Sequence, residues 1–135
     1  MQHDALKLIA QYYQRFNARD WPGFLDLLCD DVHHDINQGG CEIGKETFAD
    51  FLKRMDRCYS EQIVDLSITA NAEGTRAAAE FVVLGTYQGS DEGLPPACGQ
   101  KYRLPAGAFF AIRDGKVARI SNYYNLQDWL RQVGS

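Results

Sequence analysis

The spacing of apolar residues changes period near Gln62, and that switch limits the folds open to this chain. Before it, apolar residues recur at helical intervals: Ala5, Ile9, Tyr12 and Phe16 over residues 4–18, then Phe48, Phe51, Leu52, Met55 and Tyr59 over 45–59. After it the period is two. Val64, Leu66, Ile68 and Ala70 alternate with Asp65, Ser67, Thr69 and Asn71, and strands are expected over 75–87, 100–112 and 116–125. Helices first and an antiparallel meander last is an α+β pattern, with helices packed on one face of a sheet.

Local signals fill in the rest. Asp20 caps a short second helix that tolerates Pro22 in its first turn. Val32 to Asn37 reads as a strand, with Val32, His34 and Ile36 on one side and His33, Asp35 and Asn37 on the other. Gly39 and Gly40 turn the chain into a short return at Cys41-Glu42-Ile43, and Leu126 to Val133 reads as a terminal helix. The strand over 75–87 is apolar on both faces, so cover is expected on both, by helices and by a second subunit. Glu80 lies within it and is expected to pair with Arg103 or Arg119. The irregular stretch 89–99 is expected at a pocket rim, with Asp91 and Glu92 as solvent charges.

A chain of 135 residues with 45% hydrophobic and 24% charged residues is expected to form one globular domain over residues 1–135. Its 14 basic residues are scattered among 18 acidic ones, which argues against nucleic acid as a partner. No apolar run approaches the roughly 18 residues of a membrane span, and charges interrupt the first helix, so neither a membrane partner nor a signal peptide is expected. Cys29, Cys41, Cys58 and Cys98 lack metal-like spacing and read as reduced thiols of a cytoplasmic protein. With no Gly-rich phosphate loop or nucleophile elbow, no cofactor is expected, and no metal site either, because His33 and His34 point to opposite faces.

The segments Tyr12–Asp20 (YYQRFNARD), Leu28–Val32 (LCDDV), Gly44-Lys45-Glu46, the GTYQG run at 85–89, the RDGKV turn at 113–117 and Gln132-Val133-Gly134 resemble, in this order and spacing, the NTF2-like superfamily. The likeness is to its ketosteroid isomerase-related and SnoaL-like polyketide cyclase branch. It implies a cone-shaped α+β barrel, three N-terminal helices packed on a curved, mainly antiparallel sheet. It also implies a pocket for a small hydrophobic molecule, and a homodimer formed through the convex face of the sheet. The implied activity is that of an isomerase, cyclase or hydratase on a carbonyl-bearing, steroid- or polyketide-like substrate; a non-catalytic binding module or a dimeric scaffold is the alternative.

By that resemblance Tyr12 falls at the oxyanion tyrosine of ketosteroid isomerase, whose chemistry needs a carboxylate base, a tyrosine and a protonated acid. The base position falls on Ile36, the protonated acid on Ala108 or Gly107, and two buttressing tyrosines on Leu28 and Leu52. An alkyl group accepts no proton, so ordinary ketosteroid isomerisation is not expected. His34, on the apolar side of its strand, is the next candidate for base or hydrogen-bond donor, against the alternative of a core histidine. One residue of slip would bring Asp35 inside instead, which makes it the second choice. Phe16, Phe51 and Met55 on the helices and Ile120, Asn122 and Tyr124 on the last strand are expected to line the pocket with Ile36. The aspartate of SnoaL-like cyclases corresponds to Asn125, which can orient a substrate but not take its proton.

Overall fold

A computed structural model of the chain describes residues 1–36 and 39–134; the expected position of Asn37 lies outside the described residues. The elements are α1 (Gln2–Asn17), α2 (Trp21–Leu25), β1 (Leu28–Ile36), β2 (Cys41–Ile43), α3 (Lys45–Cys58), β3 (Tyr59–Ala70), β4 (Arg76–Tyr87), β5 (Gln100–Arg113), β6 (Lys116–Tyr124) and α4 (Leu126–Val133). The strands form one curved sheet in the order β2-β1-β6-β5-β4-β3. Every pairing is antiparallel except β1 with β6.

The helices cover the concave face. Ala5, Leu8, Ile9, Tyr12 and Tyr13 of α1 are buried at three- and four-residue intervals. Asn17 clamps the end of α1 to β3, its amide oxygen accepting from the Ile63 N–H (2.8 Å) and its amide nitrogen donating to the Ile63 carbonyl (3.0 Å). Asp20 caps α2 by accepting from the Gly23 N–H at 3.0 Å, as its position before Pro22 predicts. The α4 helix follows β6 at once and presses Trp129 onto Tyr59, Tyr87 and Tyr102.

On β4 the inward row Ala77, Ala79, Phe81, Val83 and Tyr87 is buried, whereas the outward row includes the exposed Glu80 and Leu84. Helices therefore cover one face of β4 and solvent reaches the other within one chain. The expected ion pair of Glu80 is corrected: Arg119 goes to Asp35 (2.9 Å), and an exposed carboxylate needs no partner.

The alternation read on β3 is also corrected. Its pairing with β4 slips between Val64 and Ser67, where Asp65 takes a positive φ of 53°. This bulge moves side chains across the sheet. Before it Tyr59, Glu61 and Ile63 face inward; after it Ile68 and Ala70 do, and Leu66 is exposed.

Candidate functional site

The inward rows become accessible toward one end of the concave face. Along β1, Val32 and His34 are buried and Ile36 is half-buried; along β6, Ile120 is buried, Asn122 half-buried and Tyr124 37% exposed. On β5, Phe110 and Ala108 are buried while Ala106, beside Tyr124, is half-buried; on α3, Phe48 and Leu52 are buried while Phe51 and Met55 are half-buried. These gradients run the same way because β1 and β6 are parallel, with His34 opposite Ile120 and Ile36 opposite Asn122. They describe a funnel with an apolar floor and a rim that water reaches.

His34 stands at the floor, 2% exposed. Its ring stacks on Phe48 (4.4 Å between centroids) and meets Phe51 edge-on (4.6 Å). Nε2 lies 3.5 Å from the Asn122 amide nitrogen, and Nδ1 lies 3.8 Å from Glu42 Oε1, which β2 places opposite His34. The second distance exceeds a hydrogen bond, and both atoms are buried without a hydrogen-bond partner among the described residues. Burial drives the imidazole pKa down to about 4, against a smaller upward pull from the Asp35 charge. His34 is therefore neutral at pH 7, with a carboxylate behind one ring nitrogen and an amide at the other.

Strand parity on β1 holds as read. Asp35 faces the outer side, half-buried and bonded to Arg119. A hydrogen bond from the Cys41 thiol, with Arg119 second, holds its carboxyl below the ordinary carboxylate range.

Tyr12 is buried and packs on Tyr13 (5.0 Å), Phe24 (4.5 Å) and Phe110 (5.2 Å); burial pushes its phenol well up. Phe24 then packs on Phe48, so two phenylalanines lead from Tyr12 to His34. The two belong to one aromatic cluster without touching in it. Phe16 is half-buried against Trp21. Asn125 is occupied as the N-cap of α4, its side chain accepting from the Asp128 N–H at 3.1 Å.

Several inner groups escaped the sequence reading. Glu42 is one. Glu61 is another: half-buried on the inward row of β3, it accepts a hydrogen bond from the Tyr102 hydroxyl at 2.5 Å. Burial raises its carboxyl pKa, opposed by the Tyr102 hydrogen bond and the Arg19 charge. Asp91, expected as a solvent charge, is corrected: its side chain is 12% exposed, accepts from the Tyr59 hydroxyl at 2.8 Å and lies 3.6 Å from Arg54. The 89–99 loop is thereby tied to α3 and β3. Burial, then the charges of Glu61 and Asp91, raise the pKa of Tyr124.

Among the described residues no group of His, Cys, Asp and Glu converges as a metal site, and no helix is long and apolar enough to cross a membrane.

A family model described as a SnoaL-like domain matches residues 9–120. Among solved structures, a provisionally named polyketide cyclase from Pseudomonas putida KT2440 is 57% identical over 96% of this chain and 97% of its own, with a TM-score of 0.95. Another provisionally named polyketide cyclase, from Xanthomonas campestris pv. campestris, is 53% identical over 97% of each chain, with a TM-score of 0.94. An NTF2-like protein from Burkholderia xenovorans LB400 has a TM-score of 0.79 at 14% identity over 98% of each chain, a likeness of fold alone. No curated protein matches.

Proposed function

The chain belongs to the SnoaL-like domain family of the NTF2-like superfamily, and we propose that it is an acid–base enzyme of cyclase or isomerase type. Its funnel takes a hydrophobic, carbonyl-bearing molecule of polyketide or steroid kind. The observation that carries this reading is the neutral imidazole of His34 at the funnel floor, between Asn122 and Glu42.

The tautomer that fits both neighbours carries its proton on Nδ1, toward Glu42, and accepts through Nε2. Nε2 takes a proton from the carbon beside a carbonyl, and the electron pair of that C–H bond moves into the carbonyl as an enolate. In this reading the Asn122 amide N–H donates to the enolate oxygen. The imidazolium, stabilised by the Glu42 carboxylate facing Nδ1, then returns its proton. Return to another carbon of the same enolate is isomerisation. If the enolate carbon first attacks a second carbonyl of the same molecule, the proton goes to the new alkoxide, and the outcome is cyclisation. Phe48 and Phe51 keep water from the ring, which lowers its basicity at rest and strengthens the charge–charge contact once it is protonated.

His34→Ala should abolish turnover while ligand uptake stays measurable. Uptake is read first, by thermal shift against hydrophobic ketones and lactones, and turnover is then followed on the compounds that bind. Unchanged turnover in the variant removes His34 from the mechanism. Loss of all turnover in both chains, with uptake intact, favours the binding-module alternative.

We also infer that two copies pair through the outer face of the sheet. Leu84, Phe109 and Tyr123 are exposed, and the latter two border a hollow of about 660 Å³ together with Ala78, Pro105 and Gly107.

A further inference from the structure

Glu42 joins the buried imidazole to solvent. Its strand, β2, has three residues and is the outermost at its end of the sheet, with Cys41 and Ile43 exposed on either side of it. Directly opposite residues of an antiparallel pair share a face, so the pairing of Glu42 with His34 sets the carboxylate on the side of the imidazole. The glutamate side chain is 37% exposed, against 3% for that of His34. Its Oε1 is nonetheless buried, so the exposed area falls on Oε2 and the methylene groups. The carboxyl group thus spans the wall, with Oε1 3.8 Å from His34 Nδ1 and the rest of the side chain reached by water.

Stability does not account for this arrangement. A buried carboxylate oxygen and a buried imidazole nitrogen are each costly to leave without a hydrogen bond, and among the described residues both are left so, side by side. A movement of about 1 Å brings them to hydrogen-bond length, and a partly exposed glutamate has the side-chain torsions to make it. On the other side of the ring, Phe48 and Phe51 pack against it and Nε2 faces Asn122. The two nitrogens of His34 therefore meet different surroundings: Nε2 the funnel, Nδ1 a carboxyl group in contact with solvent.

We propose that Glu42 is a proton relay, which carries protons between His34 Nδ1 and the water outside the sheet edge while the funnel stays closed to water. This rests on the reading of His34 as the proton-transfer group; Glu42 acts through His34 and touches no ligand. Once Nε2 has taken a proton, the Nδ1–H bond of the imidazolium breaks and its proton bonds to Oε1. The ring is left neutral with its proton on Nε2, and the carboxyl group passes the received proton to water and becomes a carboxylate again. The reverse sequence brings a proton from water to Nδ1, and so restores the tautomer that the base needs for the next turnover.

The test reads exchange of the His34 Nδ1 proton with water, by NMR of the full chain labelled with ¹⁵N-histidine, and needs no ligand. His34→Ala identifies the His34 signals among those of His3 and His33. Glu42→Gln keeps the shape and removes the base, and should slow the exchange by about 100-fold. Glu42→Asp keeps the carboxylate and should recover at least about a tenth of the wild-type rate, which a merely structural role would not restore. The backbone amide spectrum of each variant confirms that it is folded. Exchange at the same rate in wild type and Glu42→Gln overturns the relay, as does a Glu42→Asp chain as slow as Glu42→Gln. If exchange follows Glu42 while turnover is independent of His34, the relay stands and the catalytic reading falls. If His34→Ala abolishes turnover while exchange ignores Glu42, the relay falls and that reading stands.

Discussion

Replacing Gly85 by alanine should destabilise this fold far more than one methyl group on a strand ordinarily does. The new Cβ would lie 2.1 Å from Tyr102 Cζ and 2.3 Å from Cε2, well inside van der Waals contact. Tyr102 is buried under Trp129, so its ring has no free direction to swing. Forcing it off its rotamer costs about 1–3 kcal/mol, and parting its hydroxyl from Glu61 adds about 1.5–3 kcal/mol. A total of about 2.5–6 kcal/mol is a large share of the stability of a domain this size. For 135 residues the unfolding entropy is about 0.28 kcal/mol/K, so a loss of about 3 kcal/mol lowers the melting midpoint by about 10 °C. The assay is urea and thermal denaturation of a double-mutant cycle. In a Tyr102→Leu background no atom occupies the Cζ position, and the cost of Gly85→Ala should fall below about 1 kcal/mol, a coupling of about 2–3 kcal/mol. If Gly85→Ala costs the same in both backgrounds, the clash is not its cause, and the placement of the Tyr102 ring against Gly85 is wrong.

Acidification tests His34. Its folded pKa of about 4 lies below the ordinary 6.5, so between these values the unfolded chain binds a proton that the folded chain refuses. Stability should fall by about 3 kcal/mol from pH 6.5 to pH 4, and His34→Leu should flatten that loss; an identical pH profile of the melting midpoint contradicts the burial argument. Glu61 acts with the opposite sign, because a raised carboxyl pKa contributes stability at low pH that is lost as pH rises from 4.5 through its folded value. Glu61→Gln should therefore steepen the acid loss. On the outer face, Phe109→Glu should convert a dimer to a monomer in light scattering; a wild-type chain that is already monomeric defeats the pairing reading.

How far the site is legible in the sequence depends on where the sheet keeps its register. On β1, pairing with β6 runs unbroken from His33 to Ile36, so alternation alone puts His34 inside and Asp35 outside. The same rule fails on β3, where Val64, Leu66, Ile68 and Ala70 look like one face. The bulge at Asp65 divides them, and only that bulge turns Glu61 inward. An aspartate in a left-handed backbone conformation leaves little trace in an alternating pattern, so the inward turn of Glu61 has no sequence signal. Glu42 depends on the His34–Glu42 register of a hairpin, and Asp91 on a loop with no periodicity, so neither has a local signal. These misses share a direction: each hides an acid that the fold brings to the inner side. Alkyl groups at Ile36, Leu28 and Leu52 neither take nor give a proton, and they are the main support for a purely binding role. With Glu42 facing His34 Nδ1 and Glu61 held by Tyr102, carboxylates return to the wall from other strands, and the positions at which the resemblance looked for them no longer decide the question.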